Sequence, residues 1–276
     1  MNSPAEIASN YIGIAQAKAS QRWYKTLILA VLAGVFIALG GALATVAGSA
    51  ISGTAGVLVK GAVFPLGLIL VVLCGAELFT GNCLLLSPTV ERKISVGALF
   101  KNWGIVYSGN LIGSVLVAVL VVYSHVLGDG GASATVATAA AKCNLNFGDA
   151  FVRGILCNML VCLAVWSAMA SKSAAGKVLA VYLPVFAFVV LGFEHSVANM
   201  YYLSSGLIAG AEYGLTAAGL NLGNALLFDL LPSTLGNIIG GCAIAMAYFT
   251  VCRFGLNKQK AKTAVDEKSL DDNKTE

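Results

Sequence analysis

The chain reads as an all-α integral membrane protein: six transmembrane helices in a 3+3 inverted repeat, with the second and fifth helices broken. Three observations predict this. Hydrophobic residues make up 58% of the chain and charged residues 11%, and mean hydropathy is +0.84, far from an ordinary soluble domain. A span needs about 20 apolar residues, and six stretches qualify, near 26–48, 61–86, 103–127, 151–170, 179–206 and 233–252. Finally, motifs recur. GNLIG (Gly109 to Gly113) in the third span returns as GNIIG (Gly236 to Gly240) in the sixth. Glu77-x4-Asn82 in the second returns as Glu194-x4-Asn199 in the fifth. Three spans per copy force the second copy to enter from the opposite side.

Residues 1–25 read as a cytoplasmic N-terminal segment. They carry no signal-peptide pattern, and Ile7, Tyr11 and Ile14 sit at helical spacing, as in a helix lying on a membrane surface. Residues 26–254 form the six-span domain. Residues 255–276 are polar, alternate in charge and are expected to be disordered. The GN-x-IG stretches suit close helix packing, where small residues let backbones approach.

Basic residues orient the chain. With the N-terminus inside, inner segments hold 14 of the 17 Lys and Arg, and only Lys60, Lys142 and Arg153 fall outside. The positive-inside rule then puts both termini in the cytoplasm of a multi-pass cell (inner) membrane protein. Trp23, Trp103 and Trp166 fall near the inner interface, and His125 near the outer one. The net charge of +4 is therefore a topology signal and gives no reason to expect nucleic acid. None of the seven cysteines forms a CxxC pair, so they read as small apolar residues, with no disulfide frame and no zinc site.

Ionisable groups deep in apolar spans demand a reason. A charge at bilayer depth costs ~2.5–3.5 kcal/mol on insertion scales, so such residues usually face a pore or the bundle interior. Glu77 lies in LGLILVVLCGAELFTGNCLLL, and Glu194-His195 in LAVYLPVFAFVVLGFEHSVANM. Counted from Gly61 and Val178, the helices before these breaks hold ~16 and ~14 residues, about 21–24 Å, short of the ~30 Å core. Irregular backbone at this depth must lie against protein or water. Glu77, Glu194, Asn82 and Asn199 are expected to brace the broken helices. A carboxylate lining an anion path would repel its cargo. His195 is the group that titrates near neutrality. Thr80 offers a hydroxyl inside the break, to an anion or to its own helix end. Asn158 is a polar group in a span, suited to a neighbouring helix or to substrate. Lys142 reads from sequence alone as a solvated lysine of the outer loop.

Other classes fit less well. A water or glycerol channel needs Asn-Pro-Ala at each half-helix tip, and none occurs. A haem pair needs facing histidines, and only His125 and His195 are present. No phosphate-binding loop and no nucleophile–base set appears, so neither ATP-driven transport nor an enzyme is expected. No cofactor is expected.

GAELFTG (Gly75 to Gly81), GILCNMLVCLAVW (Gly154 to Trp166) and GFEHSVANM (Gly192 to Met200) resemble the signature stretches of the formate/nitrite transporter family. The resemblance covers about residues 5–254. It implies an aquaporin-like channel domain in a homopentamer embedded in the bilayer, with one pore per protomer for small weak-acid anions: formate, nitrite or hydrosulfide. The chain looks most like the hydrosulfide branch. The resemblance places Thr80 facing His195 in the pore and Lys142 near the outer mouth. It also implies an outer constriction at Phe64, Val161 and Phe188, and an inner one at Leu68, Leu78 and Phe79. The expected passage is proton-linked, or through the neutral acid, at His195.

Overall fold

The computed structural model describes residues 1–254. The tail expected to be disordered lies outside them. Among the described residues the structure is helical throughout, with no strand.

Helix α1 (Pro4–Ser20) starts with a capping box: Ser3 Oγ accepts from the Glu6 amide, and the Glu6 carboxylate accepts from the Ser3 amide. These bonds hold the Glu6 carboxyl below its usual range. The helix buries Ile7, Ala8, Tyr11 and Ala15, so it is docked on the bundle by its apolar side. Next come α2 (Trp23–Ser49), α3 (Gly53–Val63) and α4 (Leu66–Cys74). A break leads into α5 (Phe79–Asn82), a 3-10 turn (Cys83–Leu85) and α6 (Leu86–Val90), and α7 (Val96–Tyr123) closes the first half. The second half repeats the plan. It comprises α8 (Gly128–Cys143), α9 (Phe147–Ala170), α10 (Ala174–Val190), a break, and α11 (Ser196–Glu212). Short α12 (Leu222–Asn224), a π-helical turn (Ala225–Leu230) and α13 (Leu231–Phe249) complete it.

Five segments are long and apolar enough to cross a membrane: Trp23–Ser49, Gly53–Cys74, Val96–Tyr123, Phe147–Ala170 and Leu222–Cys252. Ala174–Val190 is shorter. The second span starts eight residues earlier than the apolar run suggests. Gly53 and Lys60 disguise its first turns, and the 22 residues from Gly53 to Cys74 reach about 33 Å, longer than the half-helix expected. Pro65 divides it, since proline cannot continue the backbone ladder.

Glycines set the tightest contacts. A Cβ on Gly34 would collide with the Asn110 backbone, and one on Gly113 with the Val31 carbonyl. Gly236 and Gly240 meet the Phe151 and Ile155 carbonyls in the same way. So α2 is pressed on α7, and α9 on α13, in matching fashion, as the GN-x-IG stretches lead one to expect. Both breaks open on a left-handed glycine, Gly75 (φ 74°) and Gly192 (φ 67°), a conformation a side chain would strain. After each, an amide reaches back to the last helical turn: Ala76 to the Val71 carbonyl (3.0 Å) and Phe193 to the Phe188 carbonyl (3.0 Å). All seven cysteines are free.

Candidate functional site

The two breaks meet. The Thr80 hydroxyl lies 3.0 Å from His195 Nε2, with Thr80 fully buried and His195 nearly so. His195 caps α11, its Nδ1 accepting from the Ala198 amide at 3.0 Å. That bond fixes the tautomer. Nδ1 carries no proton, so the neutral ring has its hydrogen on Nε2 and donates it to Thr80 Oγ1. The Thr80 O–H is then left to donate elsewhere. Protonating Nδ1 would break the cap and place a cation at the positive end of a 17-residue helix.

The contact does not follow from repeat symmetry. Glu77 matches Glu194, so Leu78 matches His195 and Thr80 matches Val197. Equivalent positions at the centre thus carry different chemistry: histidine against leucine, hydroxyl against methyl.

Each break is held by the same polar brace. In the first half, Asn110 Oδ1 accepts from the Phe79 amide (2.9 Å), and its Nδ2 donates to the Ala30 (2.8 Å) and Glu77 (2.9 Å) carbonyls. In the second, Asn237 Oδ1 accepts from the Ser196 amide (2.8 Å), and its Nδ2 donates to the Gly154 (2.8 Å) and Glu194 (2.9 Å) carbonyls. The asparagines of the GN-x-IG stretches therefore satisfy an amide and a carbonyl that each break leaves free, and tie them to α2 or α9.

Around them lie two carboxylate clusters. Lys18 Nζ is 2.8 Å from Glu77 Oε2, and Asn82 Nδ2 donates to Glu77 (2.6 Å) and Asn102 (2.9 Å). Lys142 Nζ is 2.5 Å from Glu194 Oε2, and Asn199 Nδ2 donates to Glu194 and Asp229 (both 2.7 Å). Sequence reasoning misses these parts for Lys18, Asn102, Asn110, Asn237 and Asp229. One signal is present: Lys18 and Lys142 each stand five residues before the helix that follows, α2 and α9.

Lys142 is thus an ion-pair partner, with its side chain 15% exposed, and not the solvated loop lysine that sequence alone suggests. Asn158 spends both amide hydrogens on backbone, donating to the Thr80 (3.1 Å) and Asn237 (2.6 Å) carbonyls. It ties the two breaks together and has no free donor for a substrate.

A series of rings leads from His195. It stacks on Phe188 (5.8 Å), Phe188 meets Phe64 (5.8 Å), Phe64 stacks on Tyr202 (6.5 Å), and Lys142 Nζ lies 5.7 Å from the Tyr202 centroid. Val161 joins Phe64 and Phe188 in the same buried cluster. Sequence reasoning misses Tyr202, one aromatic among many in an apolar run. A second region is a cavity of about 720 Å³. Lys18, Arg22, Lys25 and Lys177 line it against one carboxylate, Glu77, and Leu68 and Leu78 also line it. Phe79 turns its ring onto Tyr107 (4.9 Å) and Trp103 (6.1 Å) instead. His125 lies apart, exposed, 3.3 Å from the Tyr213 hydroxyl. Among the described residues no group of three His, Cys, Asp or Glu could hold a metal ion.

Five segments long and apolar enough to cross a membrane, with a polar pair buried where two breaks meet, fit the class of an integral membrane protein. Residues 5–251 match the family described as "Formate/nitrite transporter". The probable formate transporter of Methanothermobacter thermautotrophicus is 39% identical over 275 residues, covering 91% of this chain and 95% of that protein. Among solved structures, one described as "FNT family ion channel" superposes with TM-score 0.79 at 31% identity, covering 90% of this chain and 98% of its own. Another, described as "Pentameric formate channel with formate bound", gives TM-score 0.74 at 34% identity, with 83% and 97% covered. The chain belongs to the formate/nitrite transporter family. Its relatives are transporters and channels, not enzymes.

Proposed function

We propose that the protein is a channel for small monovalent anions of weak acids, in which the Thr80–His195 pair is the point of contact with the substrate. The observation that carries this is the pair itself: His195 Nε2–H and the Thr80 hydroxyl at 3.0 Å, buried where two broken helices meet, with the hydroxyl hydrogen left over. The named relatives favour formate. Hydrosulfide, which the whole-sequence resemblance puts first, and nitrite have the same charge and are small.

In this reading the cations of the 720 Å³ cavity gather anions at one mouth. Lys142 is held by Glu194 above the aromatic series and does so more weakly at the other. Phe64, Val161 and Phe188 form one apolar constriction, Leu68 and Leu78 the other, with Phe79 behind them. Such slits resist water and naked ions. Between them the Thr80 hydroxyl donates to the anion, backed by His195 Nε2–H, and the positive end of α11 adds attraction. Neutral imidazole cannot protonate the substrate, because losing Nε2–H would leave an imidazolate. A substrate that crosses as the neutral acid takes its proton from vestibule water, helped by a surrounding that disfavours the charged form.

The same reading makes the molecule a six-span, aquaporin-like inverted repeat, assembled as a homopentamer, with both termini cytoplasmic. The repeated braces support the inversion, the basic-residue asymmetry supports the orientation, and the pentameric relative supports the assembly. Flux into proteoliposomes decides between this and a neutral-solute channel. Formate, nitrite or hydrosulfide should pass, chloride should lag, and glycerol should not enter. Glycerol passage without anion flux overturns the reading.

A further inference from the structure

The two braces differ in charge at one residue. In the first, Asn82 bridges Glu77 to Asn102; in the second, Asn199 bridges Glu194 to Asp229. Asn102 takes one hydrogen on Oδ1, and its Nδ2 is buried without a partner. Asp229 takes one on Oδ1, and its Oδ2 is buried without a partner, the residue being 0% exposed. The first brace holds one cation and one carboxylate. The second holds one cation, Lys142, for two carboxylates, and Lys142 Nζ is taken by Glu194.

An ionised carboxylate out of water, with one amide donor and no countercharge of its own, is so unfavourable that the group takes up a proton. A protonated Asp229 would reproduce Asn102 closely: one accepting oxygen toward the bridging amide, and one donor, O–H in place of N–H, at the orphan position. Asp229 also stands in the π-helical turn Ala225–Leu230, an insertion frequent at functional sites.

We infer that the second brace is a proton-binding site: Asp229 holds one proton on Oδ2 at neutral pH, and its release takes the Lys142–Glu194–Asp229 cluster from neutral to a single negative charge. The surrounding ionisable groups are Lys142 and Cys143 of α8, Glu194 ahead of α11, Tyr107 of α7 and Cys157 of α9. α12 and α13 bring no charged residue. The consequence rests on the channel reading. With the proton bound, Lys142 and Glu194 balance. Once it leaves, a negative potential stands beside Lys142 and lowers the local anion concentration at that mouth. The first brace has Asn102 and cannot respond.

Two measurements test this. Infrared spectra of purified wild type at pH 7, with and without carboxyl-13C aspartate, should show a protonated-carboxyl carbonyl stretch that the label shifts. Asp129 and Asp149 are exposed, so Asp229 is its source among the described residues, and Asp229→Asn should lack the band. Absence of a label-sensitive band overturns the site. In proteoliposomes, the ratio of Asp229→Asn to wild-type formate flux should be near one at acid pH. It should rise roughly tenfold at alkaline pH, the scale of one unit charge about 10 Å away at an effective permittivity of about 20. A flat ratio with the band present overturns the effect on flux. If neither protein conducts, the channel reading falls, while the spectrum still decides the proton.

Discussion

At the scale of single residues, the proposed contact with the anion turns on which hydrogens are already spoken for. His195 Nδ1 is occupied by the Ala198 amide and Nε2 by Thr80, so the one hydrogen left over is that of the Thr80 hydroxyl. Thr80→Val keeps the shape and removes that donor. A hydrogen bond to a charged group is worth about 1.5–3 kcal/mol, so anion flux should fall between about tenfold and a hundredfold while assembly is unchanged. Stopped-flow formate uptake by reconstituted Thr80→Val measures it, and wild-type rates would remove Thr80 from the path. Much of this site is legible in the sequence, because an ionisable pair in an apolar break is too costly to keep unless it faces a pore or the bundle interior. Asn110 and Asn237 are visible too, inside a repeated motif, yet the flanking glycines suggest packing alone. Packing is what the glycines do. The asparagines answer to a different rule, that a buried amide must find partners, and those partners come from helices remote in sequence.

Whole elements depend on these bonds. Asn110→Ala or Asn237→Ala would take the side-chain partner from one carbonyl and one amide of a break, Glu77 and Phe79 or Glu194 and Ser196. Either change should cost about 2–4 kcal/mol, to a similar degree because the braces match, read as a lowered Tm in detergent. A large loss for one and none for the other would break the equivalence of the two halves. Lys18→Met should cost about 1–3 kcal/mol, less than a fully buried pair because Lys18 is 20% exposed. Adding Glu77→Gln should recover much of it, since the stranded charge is then gone; a double mutant as unstable as the sum of the two singles would contradict that. The start of α1 responds to pH. The folded-state value of Glu6 is lowered, so the capping box helps above the ordinary carboxylate range and is lost as pH falls through the lowered value. Amide exchange in the first turn of α1 should rise on acidification, and Glu6→Gln should abolish that change. The start of the second span is not legible from hydropathy, because Gly53 and Lys60 fall below any apolar threshold although both are helical.

Across the whole molecule the two matched braces differ at two equivalent places: Leu78 against His195, Asn102 against Asp229. Repetition is legible because motifs recur in order. The differences are not, because both members of each pair are ordinary residues until contacts show that they occupy equivalent places. Orientation and assembly are tested directly. Cysteine introduced at Gly130 should react from outside intact cells and cysteine at Val265 should not. Native mass should give five chains, and four would instead favour an aquaporin-type assembly.

The central claim is that Thr80 and His195 together meet the anion. It is tested most directly by formate flux into proteoliposomes across external pH for wild type and His195→Phe. Phenylalanine removes the donor behind Thr80 and the cap on Ala198, so the variant should assemble and lose much of its flux at every pH. A His195→Phe protein that assembles and conducts formate at the wild-type rate across pH would make the histidine purely structural and contradict the account.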